Sequence, residues 1–377
     1  MSLDAKYPAI ADLRARAKRR LPKFVWEYLD SGTGHEIMGQ TNRAALDKVK
    51  LLPSILHGEV TPDLSTSFLG ETYDLPVGIA PVGMSGLIWP GAEQHLAKAA
   101  AKAGIPYTLS TVASQKPEDL QGVIGPHAWF QLYPPRDPDI RRDMLHRVEA
   151  AGFSTLVLTV DVPVNSRRER LLKSGLTAPP KLTPRLLAQI ALRPAWALGM
   201  AQKGMPRMRF IDDYAPDTKG LPSTQHAGYL LRTAPDWEYL NWLRDHWKKA
   251  LIVKGLLNPV DVDKLQSSGV DALWVSNHGG RQFDAAPPAI EMLPDIRAAT
   301  SLPIVFDGGA DSGIDILRAL ALGADLVMFS RAWHYALAAL GSDGPSHLAR
   351  ILRADLIANM GQLGLHKPHA AKSRLVP

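Results

Sequence analysis

The chain contains no cysteine and no long apolar run, and both absences restrict what it can be. Among its 377 residues, the missing cysteines exclude disulfides, thiolate metal ligands and a cysteine nucleophile, a usage typical of a reducing compartment. No stretch of 18 apolar residues occurs, and the charged residues 1–20 fit an amphipathic helix better than a secretory signal. A cytoplasmic protein without a membrane-spanning helix is therefore expected.

The chain also has little net charge for its length. A formal charge of +6 without a pattern of basic and aromatic residues gives no indication of nucleic-acid binding, and no metal site is predicted. Hydrophobic residues make up 46% of the chain and charged residues 21%, which is typical of a globular protein. A large folded core is therefore expected.

After Pro76 the sequence settles into a repeated unit of short apolar strand, turn and helix. Helical segments at 92–103, 140–151, 260–268 and 313–322 each end at or just before a glycine, which suits a helix C-terminus. Eight strands alternating with helices predict an α/β fold, a (β/α)8 TIM barrel over residues 76–340, with a doubly wound open sheet as the alternative. The predicted strands are 77–80, 107–110, 129–132, 155–160, 251–254, 272–276, 304–307 and 326–329.

Residues 1–75 are expected to form an N-terminal helical cap within a single domain of residues 1–376. Apolar residues follow helical spacing through 9–30, which predicts one long helix that ends at Ser31 and Gly32. A second helical stretch is predicted at 41–49, before a polar connection that leads into the barrel.

A long basic insertion follows the fourth predicted strand. About 90 residues separate the fourth strand from the fifth, and the insertion is assigned to residues 165–235. Basic residues beside an apolar stripe with Trp196 favour peripheral contact with a membrane surface through residues 175–210. A mobile lid, or a helix packed on its own subunit or a neighbour, is the alternative. From 167 to 209 the only acid is Glu169, against Arg167, Arg168, Arg170, Lys173, Lys181, Arg185, Arg193, Lys203, Arg207 and Arg209.

Residues 276–284, SNHGGRQFD, carry the strongest chemical signal in the chain. They follow the sixth predicted strand, and in a parallel α/β barrel the site lies at the carboxyl ends of the strands. His278 can exchange a proton near neutral pH, and Arg281 can hold a carboxylate with its fork of donors. Gly279 and Gly280 permit a tight turn or close contact with a flat ligand.

This nonapeptide resembles the active-site signature of the FMN-dependent α-hydroxy-acid dehydrogenases and oxidases, the family that contains glycolate oxidase, L-lactate dehydrogenase and mandelate dehydrogenase. The resemblance extends from about Leu21 to about Leu340. It implies that His278 is the catalytic base and that Asp161 pairs with it. It also implies substrate contacts from Tyr28, Tyr133, Arg168 and Arg281, with Tyr133 near the substrate hydroxyl and the other three near its carboxylate.

The resemblance implies FMN as the cofactor. Lys254 matches a lysine beside N1 and O2 of the flavin ring, where a cation stabilises the anionic reduced form. The implied cofactor-binding residues are Pro81, Val82, Gly83, Ser110, Gln131, Thr159, Lys254, Ser276, Asp307, Gly308, Gly309, Ser330 and Arg331.

The phosphate end departs from the family pattern at two positions. Asp311 occupies the place where the family usually carries an arginine, and Ser330 stands where a glycine is common. A carboxylate repels a phosphate, so Asp311 is expected either to weaken cofactor binding or, with Ser312, to cap the following helix. Gly308, Gly309 and the helix start suit a phosphate held by backbone N–H groups.

Together these features predict an FMN-dependent dehydrogenase that oxidises an (S)-2-hydroxy acid such as lactate or mandelate to the 2-oxo acid. Gly83 and the basic insertion favour a quinone as electron acceptor, at the cytoplasmic face of a membrane. An oxidase that reduces oxygen to hydrogen peroxide is the alternative, and a catalytically silent barrel acting as a binding protein is a remote one. Val112, where glycolate oxidase has a bulkier tryptophan, suggests room for larger substrates. A homotetramer is expected from the family.

Overall fold

The computed structural model describes residues 2–176, 183–214 and 234–376. Eight parallel strands close into a barrel in the order β10, β3, β4, β5, β6, β7, β8, β9, so the predicted TIM barrel and all eight strands are confirmed. An antiparallel hairpin precedes them, β1 (Thr66–Phe68) and β2 (Glu71–Tyr73). The barrel strands are β3 (Val77–Ile79), β4 (Tyr107–Ser110), β5 (Ala128–Leu132), β6 (Thr155–Thr159), β7 (Ala250–Leu256), β8 (Ala272–Val275), β9 (Ile304–Phe306) and β10 (Leu326–Phe329).

Large aromatic side chains fill the barrel interior, and polar side chains lie beyond them at its carboxyl end. Trp129 of β5 and Trp274 of β8 meet edge to face, with ring centroids 6.4 Å apart. Phe68 of the hairpin lies 5.7 Å from Trp129. Because side chains on one face of a strand recur every two residues, the residues two positions beyond this layer point into the barrel mouth. They include Gln131 and Ser276, which follow the two tryptophans.

Helices surround the barrel and continue beyond the last strand. The segment 343–363 is a long helix that the sequence did not predict. The helices before the insertion are α1 (Leu3–Lys6), α2 (Ile10–Arg20), α3 (Lys23–Asp30), α4 (Ile37–Lys48), α5 (Ser85–Ile88), α6 (Ala92–Ala103) and α7 (Pro138–Ala150). Within and after it are α8 (Glu169–Lys173), α9 (Pro184–Ala191), α10 (Pro194–Lys203), α11 (Arg209–Asp212), α12 (Trp237–His246), α13 (Val262–Ser267), α14 (Ala289–Ala298), α15 (Gly313–Ala321), α16 (Arg331–Leu340) and α17 (Asp343–Leu363).

Residues 9–30 of the N-terminal cap form two helices where one was predicted. Leu21 separates α2 from α3 with an extended backbone, at φ −93° and ψ 142°. The cause is Pro22, because the ring of a proline disfavours the helical conformation of the residue before it. The break turns α3 toward the barrel mouth, and α2 packs beside α16, where Arg16 Nε donates to Ala339 O at 2.7 Å.

The described part of the insertion packs on its own subunit. Trp196 of α10 is buried, donates from Nε1 to Leu87 O at 3.0 Å, and meets Phe24 of α3 edge to face at 5.7 Å. Arg170 of α8 forms ion pairs with Glu27, Asp30 and Glu36 of the cap. Residues 177–182 and 215–233 of the predicted insertion lie outside the described residues.

Two glycines of α17 give a matched test of the packing between α16 and α17. A Cβ on Gly344 would stand 1.9 Å from Ala336 O, whereas a Cβ on Gly361 meets nothing within 4 Å. We expect Gly344→Ala to lower the free energy of unfolding by about 1–3 kcal/mol, the usual cost of overpacking. Gly361→Ala should leave it unchanged or raise it by up to about 1 kcal/mol, the helix propensity gained. Urea denaturation measures both, and equal midpoints for the two variants would contradict the packing.

Candidate active site

A cavity of about 800 Å³ opens at the carboxyl ends of the barrel strands, beneath α3 and α4 of the cap. It is where the strands and the loops after them bring distant parts of the chain together. Most of the predicted site residues line it: Tyr28, Pro81, Val82, Gly83, Ser110, Gln131, Tyr133, Thr159, Lys254, His278, Arg281, Asp307, Gly308, Gly309, Ser330 and Arg331. Three predicted residues, Asp161, Arg168 and Ser276, lie behind this lining and contact it.

Two buried polar side-chain atoms at the floor of the cavity lack a hydrogen-bond partner among the described residues. Gln131 accepts a hydrogen bond from Ser110 Oγ at 2.8 Å, but its Nε2 has no acceptor among the described residues. Thr159 Oγ1 likewise has no partner in that part of the chain. Because buried polar groups are nearly always hydrogen-bonded, these atoms indicate a polar ligand at the cavity floor.

Lys254 lies beside them in a buried polar cluster. Its Nζ donates to Ser276 Oγ at 2.8 Å and lies 3.3 Å from Asp307 Oδ2. Trp274 Nε1 also donates to Asp307, at 2.9 Å. Ser276 therefore orients Lys254 from behind the cavity lining, and its predicted contact with the cofactor stays a prediction. Asp307 is thus the carboxylate partner of Lys254 at the cavity floor.

His278 and Asp161 form a hydrogen-bonded pair at the site. Both carboxylate oxygens of Asp161 lie 3.0 Å from His278 Nδ1. Burial tends to raise the pKa of Asp161, but the charges of His278 and Lys254 outweigh it, and the net pKa lies below the ordinary value. Asp161 is thus ionised at neutral pH and holds the proton of the imidazole on Nδ1. His278 Nε2 is then left as the acceptor.

The backbone at His278 is itself strained. This residue has φ 55°, in the left-handed region that residues other than glycine rarely adopt. Its N–H donates to Ser276 Oγ at 3.0 Å, and the left-handed Gly279 and Gly280 follow it. Strain of this kind costs on the order of 1–3 kcal/mol and persists only where the surroundings hold it.

Three arginines converge on the C-terminal end of α3. Arg281 donates to Leu29 O at 2.9 Å and Tyr28 O at 3.2 Å, and Arg168 also donates to Tyr28 O. Arg331 donates to Gly279 O at 3.1 Å and, weakly, to Asp30 O at 3.4 Å. Carbonyls at the end of a helix carry partial negative charge, so α3 orients these cations.

None of the three arginines forms an ion pair with a carboxylate within the described residues. Burial, and then the charge of Arg168, lowers the pKa of Arg281 to about 9, which leaves it cationic at neutral pH. Arg168 Nε is buried without an acceptor in the described chain. An anion entering the cavity would relieve this concentration of positive charge.

Two tyrosines face the same space. Tyr28 donates from its hydroxyl to Gly83 O at 2.8 Å, and its ring centroid lies 5.3 Å from the guanidinium carbon of Arg168. Burial raises the pKa of Tyr133, and the negative charge of Asp161 raises it further, so its phenol stays protonated as a donor. Both tyrosines are therefore neutral hydrogen-bonding groups beside the cations.

Gly83 allows the backbone to lie close to the cavity wall. A Cβ on Gly83 would stand 2.6 Å from Val112 Cγ2, so an alanine here would require Val112 to move. The position of Ser330, in contrast, has no need for glycine. Its φ is −109°, and its carbonyl accepts from His334 Nδ1 at 2.9 Å.

Asp311 and Ser312 do not cap α15 with their side chains. Ser312 occupies the N-cap position but its hydroxyl makes no hydrogen bond to the helix backbone. Instead Asp315 Oδ2 accepts from Asp311 N at 3.1 Å and from Ser312 Oγ at 2.7 Å. The expected capping role was therefore wrong, and the first N–H group of α15, that of Gly313, donates instead to Asp355.

Sequence reasoning missed two groups that fix the site. Asp30, at the end of α3, accepts from Arg14 at 2.7 Å and from Tyr335 at 2.8 Å, which ties the cap to α16. Asn277 and Asn42 form a reciprocal amide pair at 2.7 and 3.1 Å, which ties the histidine loop to α4. Asn277 lies inside the nonapeptide, between Ser276 and His278. This position was the signal from which a role in fixing the histidine loop could have been predicted.

Comparison with known proteins agrees with this geometry. The family model described as FMN-dependent dehydrogenase matches residues 17–377. The chain belongs to this family. FMN is its cofactor, and the unpartnered atoms of Gln131 and Thr159 beside Lys254 fit the polar edge of a flavin ring.

Individual relatives are similar over nearly their whole length. An L-lactate dehydrogenase of Ectopseudomonas mendocina is 39% identical over 354 residues, which cover 92% of this chain and 93% of the relative. An (S)-mandelate dehydrogenase of Pseudomonas putida is 36% identical over 359 residues, 94% of this chain and 90% of the relative. The crystal structure of the monotopic membrane protein (S)-mandelate dehydrogenase matches with a TM-score of 0.93 at 35% identity and covers 98% of each chain.

Replacing Asp161 tests the proton-transfer pair. Asp161→Asn removes the charge that holds the Nδ1 proton of His278 and should lower turnover by about 10²–10⁴-fold, while the flavin absorbance of the protein is retained. Steady-state kinetics and visible spectra of the same preparation measure both. Asp139→Asn, at an exposed position on α7, is the control. Unchanged turnover in Asp161→Asn would contradict the assigned pair.

Proposed function

We propose that the protein oxidises an (S)-2-hydroxy acid to the corresponding 2-oxo acid. The observation that carries the proposal is the convergence of Arg168, Arg281 and Tyr28 at a cavity that also holds His278 and Lys254, with neither arginine in an ion pair among the described residues. A carboxylate bound to these cations places the neighbouring carbon and its hydroxyl within the cavity. The relatives named for L-lactate and (S)-mandelate support this substrate class.

The flavin would lie against the loop after β3 and the floor of the cavity. Pro81, Val82 and Gly83 would contact one edge of the ring, and Ser110, Gln131 and Thr159 would offer hydrogen bonds along it. Lys254, oriented by Ser276 and Asp307, would stabilise negative charge on the ring. When bound, FMN supplies the two-electron acceptor for the oxidation.

His278 would accept the proton that leaves the substrate. Its Nδ1 is committed to Asp161, so Nε2 is the atom available to the cavity. Tyr133 would donate to the substrate oxygen, and Asp161 would stabilise the imidazolium that forms. Whether the proton comes from the hydroxyl with hydride leaving C2, or from C2 itself, the same residues act. Asp161 is the positioning residue in both schemes.

Anaerobic reduction of the bound flavin tests this function. We expect L-lactate or L-mandelate to bleach the flavin band, and Val112 beside Gly83 leaves room for either. The D enantiomers are the control and should leave the band intact, since the three carboxylate-binding groups fix the orientation of C2. A flavin that no L-2-hydroxy acid reduces would contradict the proposal.

The reduced enzyme then distinguishes two electron acceptors. We propose a quinone, in agreement with the membrane-associated relative. Turnover with a short-chain quinone should exceed turnover with oxygen. Fast peroxide formation would favour instead a 2-hydroxy-acid oxidase, and mandelate oxidase structures do match this chain, one with a TM-score of 0.81 at 33% identity.

We also propose peripheral membrane contact through residues 175–210, from the cytoplasmic side. No helix within the described ranges is long and apolar enough to cross a bilayer. However, α9, α10 and the turn between them expose Leu187, Leu192 and Leu198, with 51%, 70% and 61% of their surfaces accessible. Arg185 and Arg193 accompany them on these elements. Exposed leucines beside basic residues suit the surface of an anionic bilayer. Assembly into a tetramer stays a prediction.

Sedimentation with phosphatidylglycerol vesicles tests the contact. The double variant Leu192→Glu, Leu198→Glu should bind vesicles at least about tenfold more weakly, because each buried leucine contributes roughly 1.5–3 kcal/mol. The double variant Ile55→Glu, Leu56→Glu is a matched control, since these residues are 81% and 99% exposed outside the insertion. Equal losses in the two variants would show that the insertion is not the contact.

A further inference from the structure

The loops after β9 and β10 form one end of the cavity. In TIM barrels a phosphate is commonly held by the loops after the seventh and eighth strands and by a helix N-terminus. Here that end is lined by Gly309, Ala310 and Asp311 after β9, by Arg331 at the start of α16, and by Arg43 of α4. Binding of the FMN phosphate therefore depends on which hydrogen-bond donors of these residues are not already used by protein acceptors.

Arg43 has its donors committed to protein acceptors. Its Nη1 donates to Asp315 at 2.6 Å and lies 3.1 Å from Asp311 Oδ1, and its Nη2 donates to Asp47 at 2.7 Å. Nε donates to Asp47 as well, at 3.1 Å. Arg318 contacts Asp315 and Asp47 from the other side, at 2.8 and 3.2 Å. Three carboxylates thus surround two arginines, so the cluster as a whole is anionic when its members are ionised.

The N-terminus of α15 is also occupied by carboxylates. Asp315 Oδ2 accepts from Asp311 N at 3.1 Å, and Asp355 of α17 accepts from Gly313 N. These N–H groups are the ones that a helix start would otherwise offer to an anion. Among the described residues, the N–H groups of Gly309 and Ala310 donate to no protein acceptor. They, the Arg331 side chain and the first N–H groups of α16, which has no side-chain cap, are the donors left for a phosphate, with the Asp311 carboxylate beside them.

We infer that most of the affinity of this protein for its flavin comes from contacts with the ring and the ribityl chain of the flavin. Asp311 limits what the phosphate contributes to that affinity. The inference rests on the flavin site of the proposed function. Riboflavin, which is FMN without its phosphate, should therefore replace FMN with only a small loss of affinity. The physical reason is that an ionised carboxylate beside a phosphate offsets much of the attraction of Arg331.

The charges around Asp311 also give its effect a pH dependence. It faces Arg43 and Asp47 on α4, and Asp315 on α15. Burial, and then the hydrogen bond and charge of Asp315, raise the pKa of Asp311 to about 6, although Arg43 opposes the shift. Below this pH the carboxyl is neutral and its repulsion of a phosphate is absent. Above it the carboxylate is charged and repels a phosphate.

Flavin binding to the apoprotein tests the inference without measuring turnover. Quenching of flavin fluorescence gives the dissociation constants of FMN and riboflavin at pH 7.5. We expect FMN to bind no more than about tenfold tighter than riboflavin in the unaltered protein. Asp311→Asn removes the repulsion and should tighten FMN by at least about tenfold, a factor in keeping with one like charge at an effective dielectric of about 20. It should leave riboflavin binding unchanged.

Asp47→Asn is the matched control, because Asp47 contacts the same arginine but does not line the cavity. It should change the ratio of the two constants less than Asp311→Asn does. An unchanged ratio in Asp311→Asn would overturn the inference, as would a ratio near a hundred in the unaltered protein. Failure of both flavins to bind would overturn the proposed function itself, a result distinguishable from the first two.

Discussion

Positive charge without a protein counter-ion is the constraint on which the site depends. Arg168, Arg281 and Arg331 lie close together at the barrel mouth, and the described residues provide no carboxylate partner for any of them. Desolvating cations is costly, and here the carbonyls at the end of α3 offset part of that cost. The cap is therefore more than a cover over the barrel. Its eight-residue helix orients the groups that would bind a substrate carboxylate, and it supplies Tyr28 from the same turn.

The barrel contributes the other half of the site through the spacing of its strands. The alternation that buries Trp129 and Trp274 in the interior brings Gln131 and Ser276 to the mouth two residues later. His278 lies just beyond, in a strained backbone conformation that Asp161 and Ser276 stabilise. The groups proposed for proton transfer and charge stabilisation are thus placed on the rigid scaffold. The groups proposed to bind a substrate carboxylate come from the cap, the insertion and the histidine loop.

The sequence predicted the features that are local or periodic. The eight strands were found because short apolar runs recur between helices, whereas the site residues were predicted from the resemblance of short motifs to a known family. The break at Pro22 was missed, since apolar spacing continued across it. The hairpin before the barrel and the helix α17 were missed because neither carries a chemical motif. The contacts of Asp30, Asn42 and Arg43 join residues tens to hundreds of positions apart, so only tertiary structure shows them.

The most direct test of the central claim is the rate constant of anaerobic flavin reduction by the substrate, measured by stopped flow in the unaltered protein and in His278→Gln. Because His278 is the proposed proton acceptor, the rate constant in His278→Gln should be lower by about 10²–10⁴-fold, while the flavin absorbance is retained. A His278→Gln variant that binds flavin and is reduced as fast as the unaltered protein would contradict the account.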